Sequence, residues 1–134
     1  MKDCLFCQIV AGKLPAHKIW EDERHLAFLS IFPNTEGFTV LISKKHYPSN
    51  FALVSGKILG EIMIASKKTA QKLIKAFPDT ERIGLAVEGE GVDHLHFKLI
   101  PMNPESYRGF LTTKEGSRAD DKKLAAIARK IKEN

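Results

Sequence analysis

Val92-Asp93-His94-Leu95-His96-Phe97-Lys98-Leu99-Ile100-Pro101 is the stretch whose reading decides the fold. His94, His96 and Lys98 stand at i, i+2 and i+4, with Leu95, Phe97 and Leu99 between them. Side chains alternate along a β-strand. The spacing therefore predicts a strand with two imidazoles and an ammonium on one face and an apolar face turned to a core. Successive polar positions lie about 7 Å apart along the strand, roughly the footprint of one phosphate group. Neutral imidazole is a good nucleophile near pH 7, and an ammonium stabilises phosphate charge. The competing reading is an amphipathic strand whose polar face collects two of the chain's five histidines by coincidence.

Upstream of this strand, Ile83 to Val87 reads as another strand, joined to it through the turn Glu88-Gly89-Glu90-Gly91. Val54 to Phe77 carries a helical stripe of Ile58, Ile62, Ala65, Thr69, Leu73 and Phe77, with Lys67, Lys68, Lys72 and Lys75 largely facing away. Ser55 is its expected N-cap, and Pro78 stops it. Phe38 to Ile42 is a β-branched, apolar and therefore buried strand, and Lys44 to Pro48 leaves it as a loop. Pro33 to Gly37 forms a turn. Ile19 to Asp22 and His25 to Ser30 pair as a hairpin across Asp22-Glu23-Arg24. Cys4 to Val10 is a short amphipathic turn or helix ended by Gly12 and Pro15. After Pro104 the chain is polar until Ser117, and Arg118 to Lys132 forms a last helix with Leu124, Ile127, Ala128 and Ile131 on one side. The order β-β-β-α-β-β-α implies an α+β fold: an antiparallel sheet of about five strands, one long helix and a C-terminal helix.

The 134 residues suit one domain, 1–134, with a core of useful size. No run approaches the roughly 20 apolar residues that span a bilayer, and the N-terminus lacks the apolar region of a signal peptide. A cytoplasmic protein is expected. Net charge is +5 with pI about 9.3, which suits an anionic ligand. Much of that charge lies on helix-like segments, where solvated faces explain it. No nucleic-acid motif accompanies it, so nucleic acid is not the expected partner.

Cys4-x-x-Cys7 is the second constellation with chemistry in it. With His46 and one of the strand histidines it could close a tetrahedral zinc site. A redox pair and two small buried residues are the other readings. A thioredoxin-like pair needs a βαβ setting, and here the motif precedes a hairpin.

Taken together the chain resembles the histidine-triad (HIT) superfamily of nucleotide hydrolases and transferases. The resemblance runs in order through Cys4 to Val10 with Gly12-Lys13-Leu14-Pro15, then Trp20 to Glu23, then Ala27 to Ile31. Pro33 to Gly37, Val40 to His46 and the His94 strand ending at Pro101 follow. It implies a HIT-like fold and a covalent nucleotidyl-histidine intermediate formed at the α-phosphate. His96 is the expected nucleophile. The substrate would be a dinucleoside polyphosphate or a nucleoside phosphoramidate, and a catalytically impaired nucleotide-binding or sensing module is the alternative. The resemblance also implies a structural zinc held by Cys4, Cys7, His46 and His94, and an apolar base pocket from Leu5, Phe6, Ile9, Phe28 and Ile31. A homodimer is expected from the same source, and Ile64 and Ile74 give the long helix apolar positions outside its stripe.

The chain departs from the family pattern at three places. Lys98 replaces the third histidine and brings a point charge suited to phosphate binding. Ser30 stands where many relatives have an aspartate that grips the ribose. Glu90 and Gly91 occupy positions where relatives often have neutral polar residues, with backbone amides from Gly89 to Gly91 expected near the developing charge. Glu88 and Glu90 are expected to point to solvent; facing the site, either carboxylate would repel a polyphosphate. Asp93, one residue out of phase, is expected on the opposite face from the histidines or orienting a neighbouring loop.

Overall fold

The computed structural model describes residues 3–103 and 114–134; part of the polar stretch expected after Pro104 lies outside them. The elements are α1 (Leu5–Val10), β1 (Lys18–Glu21), β2 (His25–Leu29), β3 (Thr39–Ser43), α2 (Gly56–Ala76), β4 (Arg82–Ala86), β5 (His96–Met102) and α3 (Asp121–Lys132). A single 3-10 turn over Phe51–Leu53 leads into α2. The strands form one antiparallel sheet in the order β1-β2-β3-β5-β4. This is the expected α+β architecture.

The sheet's period of two sorts its side chains into two layers. Ala27, Leu29, Leu41, Phe97 and Leu99 face α2 and α3, and pack with Ile62, Ala65, Leu73, Leu124, Ala128 and Ile131 as the main core. Leu26, Phe28, Val40 and Ile42 face the other way, and Phe6, Ile9, Val10 and Ala16 cover them. The register places Ile42 opposite His96 and Val40 opposite Lys98. His96 and Lys98 therefore share the second face, the one α1 covers.

Local chemistry sets the ends of the elements. The Ser55 side chain caps α2 by accepting the Ile58 N–H, as expected, which leaves Val54 outside the helix. The Asp120 carboxylate accepts the Lys122 N–H, so α3 begins at Asp121 and not at Arg118; the Ala119 N–H is drawn off to the Ile31 carbonyl. The β1–β2 hairpin turns on Asp22, whose carboxylate takes the Arg24 and His25 N–H groups at 2.8 and 2.7 Å. The same carboxylate meets the buried His25 ring at 3.0 Å. Burial alone would push Asp22 up, but these hydrogen bonds outweigh it and hold its pKa below the usual value.

One boundary bears directly on function. His94 was expected within the strand, but the β3–β5 ladder begins at His96. The His94 N–H instead donates to the Val92 carbonyl at 2.8 Å, and the Leu95 N–H to the Tyr47 carbonyl at 2.8 Å. The chain thus turns at His94, and the turn frees its ring to meet residues from α1 and the loop after β3.

Candidate functional site

Cys4 is the N-cap of α1, and its sulfur accepts the Cys7 N–H at 3.4 Å. Capping by a sulfur sets the two cysteines one turn apart with both sulfurs on the same side. His46 arrives on the loop after β3 and His94 on the turn before β5. Cys4 Sγ lies 3.3 Å from His94 Nδ1, Cys7 Sγ lies 3.4 Å from His46 Nδ1 and 3.5 Å from His94 Nδ1, and the two Nδ1 atoms are 3.2 Å apart. All four ligand atoms fall within 4.8 Å of one another.

Those distances can be tested against a metal. Zinc bonds of about 2.0–2.1 Å to nitrogen and 2.3 Å to sulfur make the edges of a tetrahedron about 3.3 Å (N···N) to 3.8 Å (S···S). The separations of 3.2 to 3.5 Å match those edges. Protonation fits as well. His94 Nε2 lies 2.6 Å from the Ser43 carbonyl, which can only accept, so Nε2 carries the proton and Nδ1 offers its lone pair to the cluster. Burial lowers the pKa of His94 and keeps the ring in this neutral ligating form. Burial, and then the adjoining Cys4, push the Cys7 thiol up; a divalent cation is what would let both sulfurs ionise.

His96 sits one strand step beyond this cluster and is 3% exposed. Its Nδ1 lies 2.6 Å from the His94 carbonyl. Nδ1 must donate, which leaves the lone pair on Nε2. Phe6 sets its ring edge-on against three others, with centroids 5.2 Å from His96, 5.8 Å from His94 and 5.7 Å from Phe28. One aromatic side chain from α1 therefore braces the cluster histidine, the strand histidine and the apolar face together.

Lys98 follows on the same face, but its ammonium is not held for an external anion. It makes an ion pair with Glu88 at 3.0 Å, with side chains 13% and 30% exposed. The expectation that Glu88 points to solvent is thus corrected. The register explains why: Ala86 of β4 pairs with Lys98, so two residues later Glu88 emerges on the face of Lys98 and His96. The Glu90 N–H also turns back to the Glu88 carboxylate at 3.4 Å, so that amide is not directed at a phosphate.

The other expected site residues divide. Phe6, Ile9 and Phe28 do pack together in the second layer. Leu5 and Ile31 are not among the residues packed in that layer and are 52% and 38% exposed. The Ser30 hydroxyl accepts the Phe32 N–H at 3.1 Å and closes the turn after β2. Gly89 and Gly91 both take positive φ, +73° and +89°, as a sharp turn needs. The Gly89 carbonyl accepts the Ser49 hydroxyl at 3.0 Å, while Asp93 accepts the Ser49 N–H at 3.0 Å. Asp93 therefore orients the neighbouring loop, the second of its two expected roles. Reading the sequence missed Ser43, Ser49 and the Glu88 partnership; the hairpin register was the one signal that could have revealed the last.

Residues 11–105 match the family model described as the HIT domain. The chain belongs to the HIT family. It is 39% identical over 101 residues to an uncharacterized HIT-like protein of Methanocaldococcus jannaschii, covering 73% of this chain and 78% of that one. It is 32% identical over 104 residues to a Schizosaccharomyces pombe protein named adenosine 5′-monophosphoramidase, covering 78% and 77%. A zinc-bound histidine triad family protein from Mycobacterium smegmatis has the same fold, with a TM-score of 0.79 at 24% identity, covering 98% and 92%. In this HIT chain the Cys2His2 cluster comes partly from Cys4 and Cys7, upstream of the matched residues.

Proposed function

We propose that this HIT protein, working as one domain, transfers or hydrolyses nucleotidyl groups at the α-phosphate of a nucleoside phosphoramidate or dinucleoside polyphosphate. The observation that carries the reading is the 2.6 Å contact from His96 Nδ1 to the His94 carbonyl, which fixes the tautomer and presents the Nε2 lone pair. Nε2 attacks the α-phosphorus and forms an N–P bond. The bond from phosphorus to the leaving atom breaks with its electron pair on that atom, which takes a proton from water where it is an amine nitrogen. A water oxygen, or another acceptor, then attacks phosphorus. The N–P pair returns to Nε2, and the acceptor's proton passes to solvent. Phe6, Ile9, Phe28, Leu5 and Ile31 form the apolar surface for the base, with Ser30 and the Gly89–Gly91 turn at its edges. Lys98 stands on the same face as His96 beside the phosphate, its charge offset by Glu88.

Cys4, Cys7, His46 and His94 would hold zinc. With four protein ligands the metal would have no open position and would serve structurally, these residues tying α1 to the turn before β5 and to the loop after β3. Such a thiol pair suits a reducing cytosol. Among the described residues no helix is long and apolar enough to cross a membrane. The homodimer finds support in one exposed surface, where Met63 (49%) and Ile64 (60%) of α2 lie beside Leu85 (37%) of the outermost strand β4. Because Lys98 is already paired, a nucleotide-binding or sensing module is the second reading.

Rapid quenching with adenosine and guanosine phosphoramidates and dinucleoside polyphosphates, followed by intact-protein mass spectrometry, separates the two. A nucleotidyl mass on wild type and none on His96→Ala is the expected result. Tight nucleotide binding without adduct or product would establish the module. Full activity in His96→Ala would sink the mechanism.

A further inference from the structure

We infer that Glu88 is a selectivity element of this site, one that turns it away from polyanionic leaving groups and toward substrates whose leaving group carries little negative charge. This rests on the nucleotidyl-transfer reading above and adds to it a choice of substrate class. Three observations meet at one place. Lys98 is the described cation on the His96 face of β5, and its ammonium is 3.0 Å from the Glu88 carboxylate. The β4–β5 register pairs Ala86 with Lys98, and Glu88 follows two residues on, just beyond the last paired position. The Glu90 N–H turns back to the same carboxylate, helping to hold it toward Lys98.

The consequence follows from charge. An unpaired Lys98 would offer a full positive charge to the phosphates that leave when a dinucleoside polyphosphate is cleaved. Paired with Glu88, the two side chains sum to zero, and the carboxylate itself faces the departing group. A carboxylate about 6 Å from one phosphate charge, at an effective dielectric near 20, opposes it by roughly a hundredfold, and by less once salt screens it. A leaving amine departs neutral after taking its proton and meets no such penalty. The site is therefore matched to a nucleoside 5′-phosphoryl group joined through nitrogen, or to another weakly charged leaving group.

The test compares wild type, Glu88→Gln and Glu88→Asp on adenosine 5′-phosphoramidate and diadenosine tetraphosphate, which share the adenosyl phosphate. Wild type should give the higher kcat/KM on the phosphoramidate. Glu88→Gln should move the ratio toward the tetraphosphate by roughly ten- to a hundredfold, and Glu88→Asp, which keeps the charge, should hold the wild-type ratio. A purely structural Glu88 would lower both activities together. Ratios that agree within twofold between wild type and Glu88→Gln overturn the proposal, as does a wild type that prefers the tetraphosphate. If neither substrate turns over, calorimetric binding of AMP and ATP carries the same test: Glu88→Gln should tighten ATP at least tenfold more than AMP, and equal changes overturn it. A His96→Ala protein as active as wild type refutes the covalent mechanism while leaving the Glu88 ratio intact. A protein that binds no nucleotide refutes both.

Discussion

Replacing His94 by alanine should uncouple the metal cluster from the chemistry at His96. His94 is 0% exposed, and its ring meets the Cys4 and Cys7 sulfurs, His46 and the Ser43 carbonyl. In metal-free protein the change orphans the buried Ser43 carbonyl, at about 1–3 kcal/mol. The void left by the ring adds about 2 kcal/mol. The sum, about 3–5 kcal/mol, corresponds to a fall in Tm of roughly 10–20 °C for a chain of this size. With zinc present the gap should widen by about 1.4 kcal/mol for each tenfold loss of metal affinity. His96, however, leans on the backbone carbonyl of residue 94, which alanine keeps. The folded fraction should therefore retain kcat/KM within about tenfold of wild type, whereas His96→Ala loses on the order of 10⁴-fold or more. Zinc per chain by elemental analysis, Tm with and without chelator, and turnover corrected for folded fraction complete the assay. A His94→Ala protein with a full equivalent of zinc and unchanged Tm would refute the ligand assignment. A folded, zinc-poor variant as inactive as His96→Ala would refute the separation of roles.

Asp22→Asn should destabilise the β1–β2 hairpin at neutral pH. The native Asp22 pKa lies below the unfolded value of about 3.9, so its contribution is fully present above that value and is lost as pH falls through the native pKa. Denaturation curves of the two proteins should differ at pH 7 and draw together as pH falls through the native pKa; a difference that stays constant from pH 7 into the acid range removes Asp22 ionisation as the cause. Gly89→Ala places a Cβ 2.9 Å from the Ser49 carbonyl oxygen at φ +73° and should cost about 1–3 kcal/mol. Gly91→Ala, at φ +89° with nothing within 4 Å, should cost less in the same urea titration; the reverse order contradicts the packing argument. Ile64→Glu should convert a dimer to monomer in sedimentation at micromolar protein, and a dimer that survives it does not use the exposed α2 surface.

The alternation around Leu95, Phe97 and Leu99 and the stripe from Ile62 to Leu73 were legible because each period is local and one face of each is buried. The helix bounds were legible to within a residue or two where a cap was, as at Ser55. Non-local pairings were harder. Cys4 and His94 lie 90 positions apart, and spacing left several readings of the cysteines open until the family resemblance was drawn. The Glu88–Lys98 pair went unseen for a related reason, because a strand register and not a local period brings those charges together. His94 was assigned to the strand because its side chain follows the alternation. Backbone hydrogen bonds, which the alternation does not record, end the ladder at His96.

His94 serves the protein from two ends: its ring belongs to the cluster, and its carbonyl belongs to His96. Only the first duty needs a histidine. Any residue at position 94 brings a carbonyl, so on the proposed reading a lineage could lose metal binding, through either cysteine or through His94 itself, and keep the hydrogen bond that orients His96. The main-chain hydrogen bond that sets the tautomer of His96, the proposed nucleophile, stays the same through either change.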